Sequence, residues 1–567
     1  MMIRKSGPVG DETGSKISGI TAKSLAVAAL SASLAFEACL PAAVDDPPPD
    51  TSPNILWLVL DHVTFHHYME TEGARPTLAA YERLATEGIE FERAYSIHPI
   101  CCPARASMLT GMYPINHGIY TNTADRQDVP KMRSQILYNQ HLKARGYAVA
   151  HFGKVHAGIG AITTPANGFD GWGPVGYGNP YLEPLYKDYI ERNDYGDPLY
   201  YLDWGVRGSQ PNRTYNLFEV PNFNGPSTSG PTAGYRGFST GYFTNPNTER
   251  VHEADWLASE AMDYINQQVT LGKKFSVALN VWGPHQPYQV PQGMRGTIDP
   301  LKIPEYPNFH DHATNRPQFV RDALDQRRNE TEFTTWEQWQ TVMARAYEAY
   351  TYVDMVMGRM LDYLDEKGLA GNTLVILTAD HGDELGSFGG LIDKAGNLSE
   401  EVNRIPLVIR WPGKITPGTK SRALVSNVDI TPTIIEASGS NAFSSMDGRS
   451  LLPLFRGDES KFGELLLFHY GHNDRWSTQR ALYYGDYKYI ASRGAAITHE
   501  LYNLKDDPFE LTNLAQSTDP EIRAAALDMT QRMLAYMDRI GDDMNLYNTL
   551  ALRNDLQSRI NNLSEGL

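Results

Sequence analysis

Four short apolar runs end on residues that can do chemistry. Asn54–Leu60 (NILWLVL) is followed by Asp61 and His62, and Ala148–Phe152 (AVAHF) by Lys154 and His156. Phe275–Val281 (FSVALNV) is followed by His285, and Thr373–Thr378 (TLVILT) by Asp380 and His381. Each run has the length of a strand and is apolar on both faces, the pattern of a parallel strand buried between helices. In an open α/β sheet, ligands bind beyond the carboxyl ends of the strands. The four strands therefore deliver two carboxylates, four imidazoles and an ammonium to one rim. A single Asp after a strand is ordinarily a turn or a cap, and a single His a satisfied polar residue. Their recurrence at one structural place is what points to a site.

Asp61, Asp380 and His381 suit a divalent cation. Carboxylate oxygens favour hard ions such as Ca²⁺, and an imidazole moves the choice toward Mn²⁺ or Zn²⁺. The cysteines raise a different question. There are three, Cys39, Cys101 and Cys102, too few for a disulfide framework. A bond between the adjacent pair would close a strained small ring. Pro103 predicts a helix beginning near it, which puts Cys101 at the positive end, where free N–H groups stabilise an anion.

The segment CCPARASMLTG, Cys101–Gly111, resembles the active-site motif of the formylglycine-dependent (type I) sulfatases of the alkaline phosphatase superfamily: C-x-P-[SA]-R and then a small-residue helix ending L-T-G. The similarity continues in PNILWLVLDH (Pro53–His62), GYAVAHFGKVHAG (Gly146–Gly158), GPHQPYQVP (Gly283–Pro291), TADHGDELGSFG (Thr378–Gly389), RIPLVIRWPGK (Arg404–Lys414) and VDITPT (Val428–Thr433). With GDYKYI and ELYNLKDDPFELTNLA near the end, it covers about Pro53 to Ala515.

The resemblance implies an alkaline-phosphatase-like fold: a mixed, mostly parallel α/β sheet flanked by helices, with a smaller C-terminal α+β subdomain. It implies that a formylglycine-generating enzyme converts Cys101 to formylglycine (3-oxoalanine), while Cys102 fills a variable position. It assigns the metal to Asp61, Cys101, Asp380 and His381, with Ca²⁺ first and Mn²⁺ second. It assigns catalysis to Cys101, Arg105, Lys154, His156, His285 and Lys394. In the implied mechanism the hydrated aldehyde attacks sulfur, and His285, aided by Lys394, protonates the leaving alcohol. His156 then takes the proton of the second hydroxyl as the aldehyde re-forms and sulfate leaves. Arg105 holds the hydrate and the metal shell, and Lys154 and Lys394 pair with sulfate oxygens.

One position departs from the pattern. The family usually opens with paired acids, and here the second is His62, which leaves its metal role open. A non-acidic residue there is favoured by phosphonate and phosphate monoester hydrolases of the same superfamily, so that activity is an alternative. A non-catalytic glycan-binding lipoprotein is a third reading, against which the complete set of site residues argues.

The rest of the chain must position these residues. Its 567 residues are 41 % hydrophobic and 21 % charged, enough for a large core. The charge sum, 50 − 67 = −17, makes nucleic acid an unexpected partner, so cations for an anionic substrate must be concentrated locally. Apolar residues at three-to-four spacing predict a helix over Val342–Leu364, its Met-rich stripe facing the core. Residues from about Ala161 to Glu249 are rich in Gly, Pro, Asn and Tyr and read as a long insertion of loops, its tyrosines either sugar-stacking faces or anchors.

After about Gly439, short strands and a helix from about Pro520 to Ile540 suggest the smaller domain. Basic residues before the apolar Ser24–Phe36, with Cys39 next, read as an export signal, with or without lipidation of Cys39. Val44–Asp50 (VDDPPPD) then reads as an extended tether. The organisation expected is signal and tether over 1–51, catalytic domain over 52–440 and C-terminal subdomain over 441–567. The export signal implies the periplasm or cell surface as the destination, and the resemblance implies a sulfated carbohydrate as the partner.

Overall fold

The four apolar runs form the centre of one sheet. They fold as Asn54–Leu60, Ala148–Gly153, Phe275–Asn280 and Thr373–Ala379, and only Asn54 among them is not buried. In the computed structural model they lie in the order Thr373–Ala379, Asn54–Leu60, Phe275–Asn280, Ala148–Gly153, all parallel. Strands apolar on both faces can be buried only between helical layers, which is where parallel sheets are found. The described residues are 52–565 apart from 67–72, 123–128, 206, 222–226, 228–229, 236–238, 330–332, 334, 395–396, 471–476 and 543–548. The expected leader, Cys39 and the tether lie outside them.

The short strand Asp170–Trp172 extends one edge in parallel. At the other edge Leu407–Arg410 pairs antiparallel with Thr373–Ala379, followed by Ile89–Phe91 and Thr419–Ser421. The eight-stranded sheet is thus mixed and mostly parallel. Leu407–Arg410 runs backward because the chain after Ala379 stays at the carboxyl edge before returning, and that excursion carries Asp380, His381 and Lys394.

The helix expected over Val342–Leu364 spans Trp336–Glu366. It starts six residues early because Thr335 and Gln338 form a capping box that satisfies its first N–H groups. Met343, Met357 and Met360 are buried along it.

The reading of residues 161–249 as loops needs correction. They contain the helix Pro184–Arg192 and the strands Leu199–Gly205, Arg213–Asn216 and Ser239–Phe243, which join Tyr288–Pro291 in a second, four-stranded sheet. Tyr181, Tyr186, Tyr189, Tyr200 and Tyr215 are buried, so these tyrosines are the core of the insertion rather than a stacking platform. They pack edge to face, as with Tyr181 and Tyr186 at 5.3 Å. The strands were hidden because they are short and interleaved with Gly and Asn.

The C-terminal region is an antiparallel sheet of Glu464–His469, Thr478–Tyr484, Tyr487–Arg493 and Ile497–Asn503. The helices Pro520–Ile540 and Thr549–Glu565 accompany it, the second not anticipated from sequence. Among the described residues no helix is long and apolar enough to cross a membrane.

Candidate active site

The parallel register brings the functional residues to one level. Leu60 pairs with Ala379, and both Val59 and Gly153 pair with Asn280. The ladder continues past the strand ends: Asp380 N–H donates to the Leu60 carbonyl at 3.2 Å, Lys154 N–H to Asn280 at 2.8 Å, and Asp61 N–H to Gly283 at 3.2 Å. Gly153 makes this closeness possible. Its φ is +103°, and a Cβ there would stand 2.0 Å from the Asn280 carbonyl oxygen.

Asp61, Cys101, Asp380 and His381 converge. One ligand atom from each lies within 4.8 Å of the others, and all four residues are buried. His381 Nδ1 is 2.9 Å from the Gly382 carbonyl, which can only accept, so Nε2 carries the lone pair, 2.9 Å from Cys101 Sγ. Burial keeps this imidazole below its ordinary range and neutral, as a ligand must be. Asp61 is held up by burial and the neighbouring charge of Asp380. Against its own burial, Arg105 first and then Lys154 and the backbone N–H of His62 hold Asp380 well down. Asp61 Oδ1 is buried and makes no hydrogen bond to any described residue. Two adjacent carboxylates, one with an orphaned oxygen, and a neutral imidazole fit a divalent cation.

Arg105 binds the carboxylates together rather than reaching the sulfur of Cys101. Its Nε donates to Asp380 Oδ2 at 2.8 Å, Nη2 lies 3.6 Å from Asp61 Oδ1, and Nη1 donates to the Lys154 carbonyl and to Asn280 Oδ1. Lys154 Nζ donates to Asp61 Oδ2 at 2.5 Å. Asn427 and Ser96 both donate to the Asp380 carbonyl, at 2.9 and 2.6 Å.

The helix bearing Cys101 runs from Cys101 to Thr110, two residues earlier than expected. Pro103 falls inside its first turn, where the missing N–H costs nothing: the first such helical bond is Ala104 N–H to the Ile100 carbonyl. Cys101 is therefore part of the helix's first turn, buried and in no disulfide. Burial pushes its thiol up, but Lys154, Lys394 and a hydrogen bond with His156 pull it below its ordinary range.

A second group stands beside the first. Lys394 Nζ donates to Asp393 Oδ1 at 2.7 Å, and His62 Nε2 lies 3.4 Å from the same oxygen. The rings of His62 and His285 are 4.4 Å apart, and those of His62 and His381 4.9 Å. His62, His285 and Asp393 could also reach a common cation. That place already has a positive charge in the Lys394 ammonium, whose pKa Asp393 and Cys101 raise despite burial. His62 gives its backbone N–H to Asp380 Oδ1 at 3.1 Å, and its ring stands with Asp393 and Asp383, outside the four-residue cluster. Its φ of +70° shows the backbone held in the left-handed region.

His285 Nδ1 donates to the Gln286 carbonyl at 2.7 Å, leaving Nε2 as the other ring position. Burial, then Lys394 and Lys154, hold its pKa well below the ordinary value. The loop is anchored by Glu253, whose Oε1 accepts the Gly283 N–H at 2.9 Å. Glu253, Asn280, Asp383, Asp393 and Asn427 were not foreseen. Asn280 at a strand end and Asp393 beside Lys394 carried the signal by position. Glu253 on a helix and Asn427, far along the chain, carried none.

Known proteins resemble this chain in sequence and in fold. The family model described as Sulfatase matches residues 53–440, and that of the N-sulphoglucosamine sulphohydrolase C-terminal region matches 388–538. The chain is 26 % identical to the N-acetylglucosamine-6-sulfatase of Homo sapiens, covering 83 % of this chain and 82 % of that one. It is 28 % identical to the multifunctional alkaline phosphatase superfamily protein PehA of Trinickia caryophylli, over 86 % and 95 %. In fold it is similar to a phosphonate monoester hydrolase of Agrobacterium radiobacter, at a TM-score of 0.66 and 20 % identity over 86 % of this chain and 96 % of that one. It is similar also to a protein solved with its substrate D-glucosamine-2-N,6-O-disulfate, at 0.63 and 20 % over 87 % and 99 %. With the first family model spanning the whole rim from Asp61 to Lys394, the chain belongs to the sulfatase family, enzymes that hydrolyse sulfuric esters.

Proposed function

We propose that this chain removes sulfate from a sulfated carbohydrate after a formylglycine-generating enzyme has converted Cys101 to formylglycine. The observation that carries the reading is the convergence of Cys101 with Asp61, Asp380 and His381 beside Lys154 and Lys394. Asp61, Asp380, His381 and residue 101 would hold the cation, Ca²⁺ first and Mn²⁺ second. When present, the cation and the hydrated aldehyde supply a Lewis acid and an oxygen nucleophile that can later expel sulfate.

The chain's own residues do the rest. Lys154 and Lys394 neutralise sulfate oxygens, and Arg105 keeps the two metal carboxylates in register. His156, hydrogen-bonded to Cys101, takes a proton from residue 101. His285 delivers a proton to the departing alcohol. The relatives named N-acetylglucosamine-6-sulfatase support an amino sugar as the carbohydrate. Export to the periplasm or cell surface, Cys39 as a lipid anchor, and the division at residues 51 and 440 complete the proposal on sequence grounds.

A second reading, hydrolysis of phosphonate or phosphate monoesters, is favoured by one observation. The residue after Asp61 is a histidine rather than a second acid, and so adds no negative charge to the cluster. Sulfate release from sulfated sugars, assayed beside an aryl phosphonate, separates the two.

A further inference from the structure

Tyr177 belongs to the insertion and lies outside every motif that marks the site, yet its ring is packed against three site residues. Lys154 Nζ stands 4.1 Å from the ring centroid, over its face. The rings of His156 and His285 meet it edge to face at 5.5 and 5.7 Å. Trp282 Nε1 donates to the Tyr177 carbonyl at 2.9 Å and fixes the backbone that presents it. Two elements therefore converge on this ring: the segment after the strand Ala148–Gly153 and the loop before His285.

The hydroxyl of this ring is buried and makes no hydrogen bond to any described residue. A buried phenol without a partner costs stability, so its presence needs an explanation. Burial, then the charges of Asp61, Cys101 and Asp393, keep it protonated and hence a donor. The charged groups around it are those of the anion site itself. We propose that Tyr177 is a substrate-contacting residue whose hydroxyl donates a hydrogen bond to an oxygen of the bound sulfuryl group, while its ring steadies the Lys154 ammonium that pairs with the same anion. This rests on the sulfatase reading above and adds a donor from the insertion to the anion site.

The test is Tyr177→Phe, which keeps the ring and removes only the hydroxyl. Three quantities are read on the mature enzyme: melting temperature, kcat/KM on an aryl sulfate, and inhibition by inorganic sulfate. Loss of a hydrogen bond to a charged oxygen predicts about a 10- to 100-fold fall in kcat/KM and a parallel weakening of sulfate inhibition. Because no internal bond is lost, the melting temperature should stay the same or rise. A variant with unchanged kcat/KM and unchanged sulfate inhibition would overturn the proposal. So would a variant that melts well below the wild type, because the hydroxyl would then have a structural partner. Wild-type enzyme that releases no sulfate would instead overturn the sulfatase reading itself.

Discussion

At the scale of single residues, His285 holds the least obvious state. Its pKa is depressed, first by burial and then by Lys394 and Lys154, so the free enzyme carries it neutral at neutral pH. A general acid must be protonated, and the pH dependence of kcat/KM reports the free enzyme. For a sulfated sugar, whose alkoxide leaves only with a proton, kcat/KM should therefore rise as pH falls below the ordinary histidine range. A nitrophenyl sulfate needs no such proton and should lack that limb. His285→Ala should lose about 10²- to 10⁴-fold on the sugar and far less on the aryl ester. Equal loss on both would assign His285 to binding.

Asp380 makes a sharper case. It accepts from Arg105 Nε and from the backbone N–H groups of His62 and His381. Asp380→Ala should remove bound metal, measured by elemental analysis, along with activity. His62→Ala should keep the metal, because the His62 ring stands with Asp383 and Asp393. Equal metal loss in the two variants would make His62 a ligand.

At the scale of elements, the loops at the carboxyl edge depend on groups distant in sequence. Glu253 opens the helix Glu253–Thr270 and accepts the Gly283 N–H. Burial raises its carboxyl to about 8, so it is neutral in the folded protein at pH 7. The unfolded chain ionises near the ordinary glutamate value. Between those two values the native state holds a proton that the unfolded state has lost, so this group's contribution falls as pH rises, by about 1.4 kcal/mol per pH unit, and levels off above pH 8. Glu253→Gln keeps an acceptor and removes the term. Its stability relative to wild type should climb from pH 5 to 8, as read from denaturant midpoints. A pH-independent difference would show that Glu253 is already ionised in the fold.

What could be read from sequence follows the same division. The central strands were legible because they are apolar on both faces, which few structures other than a covered parallel sheet can accommodate. The cluster of Asp61, Cys101, Asp380 and His381 was legible because each follows a strand or lies in a spaced motif. The insertion was not: Tyr181, Tyr186, Tyr200 and Tyr215 are buried by tertiary packing that leaves no periodic trace in a Gly- and Asn-rich stretch. The same holds for Tyr177 and Glu253, whose importance lies in what they touch across the fold. The helix start was misplaced because Pro103 is tolerated anywhere in the first turn.

At the scale of the whole molecule, a chain of net charge −17 gathers Arg105, Lys154 and Lys394 at one edge of its central sheet, all three buried. Each is paired with a carboxylate, Arg105 with Asp380 and Asp61, Lys154 with Asp61 and Lys394 with Asp393. The measurement that tests this most directly is sulfate release from a 6-sulfated amino sugar by protein co-produced with a formylglycine-generating enzyme, in parallel with Cys101→Ala and with an aryl phosphonate as competitor substrate. The account predicts sulfate release that exceeds phosphonate turnover and disappears in Cys101→Ala. Undiminished release by Cys101→Ala, or phosphonate turnover without sulfate release, would contradict it.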